Sequence, residues 1–98
     1  MAGQSGENAV PTVLIDNELT KVTEWRFAAG AQTGWHRHEM DYIVVPMLDG
    51  KLRIDSGEGQ EVIAELSKGV PYFRNIGVEH NVINANDYEY VFIEVEYK

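Results

Sequence analysis

Ninety-eight residues, 44% of them hydrophobic, make one domain with a thin core and leave no room for a second domain. A net charge of −8 argues against nucleic acid and against an anionic membrane surface as partners. With no cysteine, disulfides and thiolate metal sites are excluded, which fits a reducing cytoplasm.

Met1 to Val10 is small and polar and lacks the basic start and apolar stretch of a signal peptide. Residues 1–11 are expected to form a flexible arm, with the ordered domain over residues 12–98. From Thr12 onward, turn signals separate short β-rich runs, the pattern of an all-β sandwich or barrel. The expected strands are residues 12–15, 19–27, 35–38, 42–48, 51–55, 60–66, 72–74, 80–84 and 89–96. Asp49-Gly50 between apolar runs reads as a two-residue hairpin turn. Pro46 lies inside a strong strand and cannot donate to a ladder, so it marks an edge, a bulge or a bend. The last strand alternates Ile93, Val95 and Tyr97 with Glu94 and Glu96, so the two glutamates are expected on a solvated face; with the strand flipped they would be candidate ligands.

Chemistry concentrates on the three histidines. His36 and His38 share a strand face about 6.6 Å apart, close enough for both imidazoles to reach one ion. His80 opens a separate apolar run and supplies a third nitrogen. For a bare His-x-His pair, chance is the better explanation, and the third histidine and the glycine spacing shift the balance towards a metal site. Met40 continues the face of His36 and His38 and is a candidate for lining a ligand pocket. Tyr42 follows on the same face and is the candidate catalytic group, as hydrogen-bond donor to a bound substrate. Its plainer role is barrel packing. Arg26 is a candidate fork for a substrate carboxylate if it points inward, and a partner of Glu24 or Glu94 if outward. Either Tyr72 or Phe73 must face in, and Tyr72 is taken as a substrate contact. Trp35 is out of phase with His36 and is expected at the outside. Asn84 is expected to orient a loop.

The glycines and histidines together resemble the two cupin motifs. The first is met by Gly30, His36, His38 and Gly50, the second by Gly69, Gly77, His80 and Asn84, with the intervening spacings. Two positions depart: Asn75 stands for the proline of the second motif, and Tyr42 or Ile43 for the glutamate of the first. The resemblance covers residues 12 to 97 and implies a double-stranded β-helix (jelly-roll) barrel. It also implies a divalent transition metal on His36, His38 and His80. Zinc, iron, nickel, copper or manganese suits an all-nitrogen set. Residues 36–50 and 77–84 are further similar to small single-domain cupins linked to β-alanine degradation.

Three-histidine members of the family include dioxygenases. The resemblance therefore implies a metal-dependent enzyme on a small organic acid or derivative, with non-haem dioxygenase chemistry as one form. The alternatives are a non-catalytic metal- or ligand-binding module, and a metal-dependent isomerase or lyase on a sugar acid. The family also implies a homodimer.

Overall fold

The computed structural model describes residues 7–98. Its strands are β1 (Val10–Asp16), β2 (Thr20–Phe27), β3 (His36–Arg37), β4 (Asp41–Pro46), β5 (Gly50–Gly57), β6 (Gln60–Leu66), β7 (Tyr72–Arg74), β8 (Glu79–Asn84) and β9 (Tyr90–Tyr97), and no helix occurs among the described residues. Each expected run recurs as a strand. The strands form two antiparallel sheets, one ordered β1-β2-β9-β4-β7 and the other β3-β8-β5-β6.

The two inner faces alternate with outward positions and enclose the core. Phe27, Leu52, Tyr90 and Phe92 are buried there. The Phe27 and Phe92 rings lie 5.4 Å apart and tilted, a favourable aromatic arrangement. Leu52 and Phe92 also line a cavity of about 590 Å³ that opens from this interior.

Three details differ from the sequence expectation. Residues 1–6 of the expected arm lie outside the described residues, but residues 7–11 are tied into the domain. The Ala9 amide donates to the Gln32 carbonyl (2.8 Å), the Gln32 amide donates to the Glu7 carbonyl (3.1 Å), and Ala9 is buried. Val10 and Pro11 already pair with Arg26 and Trp25 of β2. A strand that completes a sheet edge is held by its ladder, whatever its own side chains contribute.

Asp49-Gly50 is not a hairpin turn. β4 pairs with β7 and β9, whereas β5 pairs with β6 and β8, so residues 47–49 carry the chain from one sheet to the other. Gly50 is needed for space: a Cβ there would lie 2.7 Å from Cε1 of the Tyr90 ring. Tyr90 and Tyr88 donate their hydroxyls to the carbonyls of Leu48 and Asp49, which pins this crossing. The tight hairpin is instead β5–β6, where Glu58 and Gly59 both take positive φ (54° and 77°).

Pro46 sits at the end of a sheet-interior strand and is fully buried. Met47 donates its amide to the Val91 carbonyl, so the neighbouring Pro46 nitrogen is turned to the β7 side. There β7 pairing has already stopped at Val44–Tyr72, and no ladder donor is lost.

Candidate metal centre

His36 and His80 are direct cross-strand partners in the β3–β8 ladder. Their side chains therefore leave one face of one sheet as neighbours. His38 lies just beyond β3, where the chain crosses between the sheets. Its amide donates to the Val78 carbonyl (2.8 Å), and its carbonyl accepts from the Gly77 amide (2.9 Å). Gly77 makes that contact with φ at 99°, a conformation that favours glycine. The three imidazoles meet at their Nε2 atoms: His36 to His38 is 3.0 Å and His38 to His80 is 3.1 Å.

Those separations fit a shared cation. Nitrogen ligands at ~2.1 Å from one ion and at right angles to each other stand ~3.0 Å apart. The ring orientations fit as well. His36 Nδ1 donates to the Gly34 carbonyl at 2.9 Å, which leaves the lone pair on Nε2. The loop carrying Gly34 is itself held by Asn81, whose Oδ1 accepts the Gly34 amide (3.0 Å) and whose Nδ2 donates to Gln32 Oε1 (2.9 Å). Burial drives His38 down to about 4, helped by His36, and His80 to about 3, helped by His36, His38 and Arg74. Both rings are therefore neutral at physiological pH, the form that binds a metal. Three neutral rings turned nitrogen to nitrogen repel one another unless a cation or shared protons lie between them.

A solved structure of a cupin domain from Bordetella pertussis Tohama I is 59% identical to the chain. It superposes with a TM-score of 0.90 over 94% of this chain and 95% of that one. The chain belongs to the small cupin-domain proteins. No protein-family model matches the sequence. This cupin is also 58% identical over 90 residues to the β-alanine degradation protein BauB of Pseudomonas aeruginosa, across 92% of this chain and 94% of that protein. A Klebsiella pneumoniae protein with a double-stranded β-helix domain, 18% identical, shares the fold at a TM-score of 0.74 over 95% and 79% of the two chains.

Tyr42 and Met40 of this cupin line the cavity beside the histidines, as does Tyr72. Tyr42 is 2% exposed, and its ring stacks on His38 at 3.8 Å between centroids and 12° between planes. Burial pushes its hydroxyl well above the ordinary tyrosine value, which favours a protonated donor over a phenolate ligand. His36 and Tyr42 line the same cavity without sharing a strand or a sheet. The chain leaves one sheet after Arg37 and joins the other at Asp41, and both sheets turn these side chains inward.

Arg26 does not reach the cavity. It points outward and pairs with Glu89 (2.8 Å) and Glu24 (3.4 Å). Its register partner Val91 lies on the face of β9 opposite Phe92. Trp35 is on the outside, half exposed, as expected. Asn84 is 1% exposed and serves structure. Its Nδ2 donates to the carbonyls of Phe27, Ala28 and Tyr88, and its Oδ1 accepts from Asn86.

The largest correction concerns β9. Glu94 is buried at 8% exposure and Glu96 is half-buried, and both line the cavity. Val44 pairs with Glu94 and Tyr42 with Glu96, so the glutamates share the inward face of β4. Glu94 accepts a hydrogen bond from Trp25 Nε1 (3.4 Å), and its Oε2 lies 3.9 Å from His38 Nδ1. Burial, then the charge of Glu96, raises Glu94 to about 7. Phe92, two residues earlier, was the available signal: taking that ring as inward turns Glu94 and Glu96 inward too. Arg74 was also missed. It stands two residues after Tyr72 on the same face of β7, and it lines the cavity.

Proposed function

We propose that this cupin is a metal-dependent enzyme acting on a small organic acid or its derivative, with His36, His38 and His80 holding the ion. The observation that carries this reading is the convergence of three Nε2 atoms at 3.0 and 3.1 Å inside a cavity large enough for a ligand beside them. The name of the Pseudomonas aeruginosa relative supports a substrate in the chemistry of short amino and carboxylic acids.

A divalent ion bound there supplies a Lewis acid and, if it is iron, the means to use dioxygen. The protein's part can be derived from its own residues. His36 is oriented through Gly34, so its Nε2 stays free of a proton. Tyr42, held flat on His38, offers a hydroxyl to a ligand at the face the histidines leave open. The apolar walls, including Val44, Leu52, Ile54 and Val82, exclude water from that face. Glu94, the more deeply buried of the two cavity glutamates, has a carboxyl group able to hold or release a proton at Oε2.

The test is elemental analysis of protein purified without a histidine tag, followed by oxygen-uptake and product assays with β-alanine and related short acids. Each single His→Ala variant is expected to lose the ion while keeping its β-sheet circular dichroism. Protein that binds metal tightly yet turns over no acid in this class would shift the reading to a non-catalytic binding module. Glu94 favours one further reading, metal-dependent isomerase or lyase chemistry, because it supplies an interior base besides Tyr42. Proton exchange at the substrate's α-carbon that survives Glu94→Gln would count against it.

A homodimer is part of the proposal. β1 is the edge of its sheet, and all seven of its residues are exposed, Val13, Leu14 and Ile15 among them. A second copy would cover that edge. Light scattering should give twice the chain mass, and Leu14→Lys should lower it.

A further inference from the structure

The cations near the cavity are not equivalent. Arg37 is occupied by Glu39 (3.3 Å) and Glu79 (3.6 Å). Lys21 stands opposite Glu96 in the β2–β9 register, with Glu94 two residues along. Arg74 has neither kind of neighbour: its register partner is Tyr42, not an acid. Among the described residues no carboxylate lies within ion-pair distance of it, although the chain has sixteen acidic residues and eight Lys and Arg. In so acidic a protein, an arginine without an acid is unusual on charge grounds alone.

Its orientation is nevertheless defined. The guanidinium carbon lies 4.7 Å from the centroid of the Tyr72 ring, a cation–π contact. Nη1 donates to the Phe73 carbonyl at 2.8 Å. One edge of the planar fork is thus committed to the protein, and donors on Nη2 and Nε remain. The β4–β7 register pairs Arg74 with Tyr42 and Tyr72 with Val44, so Arg74 and Tyr72 rise from the sheet on the face of Tyr42. Tyr42 in turn stacks on His38. The path from Arg74 to the histidine cluster therefore crosses a single side chain, and the whole path lies within one cavity.

We propose that Arg74 is the carboxylate anchor of this site: it binds the acid end of a short-chain carboxylate whose other end reaches the histidine cluster across Tyr42. This deepens the function proposed above and rests on it for what happens at the far end of the ligand. The carboxylate assignment itself rests on Arg74 and its neighbours. A bidentate carboxylate matches a guanidinium fork, and the Tyr72 ring holds the fork in place, so little side-chain freedom is lost on binding. Arg26, the arginine that the sequence offered for this role, is taken up by Glu24 and Glu89.

The experiment compares wild type with Arg74→Gln and Arg74→Lys, each in zinc-loaded and chelator-stripped form. Dissociation constants are read by ligand-observed NMR for propionate, β-alanine and propionamide, and zinc stoichiometry and thermal melts are recorded alongside. Wild type is expected to favour propionate over propionamide at least tenfold. Arg74→Gln should remove that preference by weakening propionate and leaving propionamide unchanged. Arg74→Lys should restore part of it, since a point charge replaces the charge but not the fork. Zinc stoichiometry should be the same in all three, because Arg74 is exposed and acts on His80 only through its charge, not as a ligand. A carboxylate preference that survives in Arg74→Gln, or one absent from wild type, overturns the assignment. Should no form bind zinc, a zinc ion at the histidines is ruled out, while the stripped-protein comparison still decides the role of Arg74.

Discussion

Replacing Glu94 by glutamine should stabilise the metal-free protein at alkaline pH and leave it unchanged at acid pH. Glutamine keeps the shape and an oxygen able to accept from Trp25 Nε1, but never ionises. In the folded chain the Glu94 carboxyl is raised from 4.5 to about 7 because it is buried next to Glu96. An acid with a raised folded value adds stability below its unfolded value and loses it as pH climbs through the folded one. Wild type therefore carries the penalty of a buried carboxylate above about pH 7, and Glu94→Gln does not. The displacement corresponds to an upper bound of about 3 kcal/mol. Partial solvent access and relaxation argue for about 2 kcal/mol, or roughly 10 °C in Tm for a chain of this size. Urea unfolding in the presence of a chelator, at pH 5 and at pH 8.5, measures it directly. A difference between variants that is the same at both pH values would refute the reasoning, as would a destabilised glutamine variant at pH 8.5. With zinc present the order should reverse. The carboxylate lies 3.9 Å from the second nitrogen of His38, and loss of such an outer partner typically weakens metal binding ~10–100-fold.

Three further outcomes follow from the same structure. In the Glu94→Gln background, metal-free protein should lose stability as pH falls from 6.5 towards 4. The unfolded chain takes up protons at His38 and His80 that the folded chain refuses, giving a slope of up to about 1.4 kcal/mol per pH unit for each; a flat urea-midpoint profile over that window would contradict it. Asn84→Ala should cost about 2–4 kcal/mol in urea unfolding, since it strips the carbonyls of Phe27, Ala28 and Tyr88 of their donor in the interior. A cost below 1 kcal/mol would mean that water replaces the amide. Gly50→Ala should cost about 1–3 kcal/mol by driving a methyl into the Tyr90 ring, and in a double-mutant cycle the same substitution should cost less in a Tyr90→Leu background.

The strands and the three-histidine cluster were legible in the sequence alone. Turn residues and β-rich runs are local signals, and each of the nine expected runs forms a strand. The histidines were legible because their spacing to glycines is a local record of loop lengths, and loop lengths decide which residues can meet. What remained hidden depends on partners distant in the chain. Asp49-Gly50 has the chemistry of a hairpin, yet its flanking strands pair elsewhere, and no local residue reports that choice. Alternation along β9 separates Glu94 from Ile93 without saying which side is inside, because both faces of a central strand can carry aliphatic residues. The β4–β9 register settles it, and it brings a carboxylate beside His38. The same holds for the arginines. Arg26 and Arg74 are alike in sequence, and only the folded chain surrounds one with glutamates and aims the other at the cavity. Spacing is a property of the chain, whereas the environment of a charge belongs to everything packed around it.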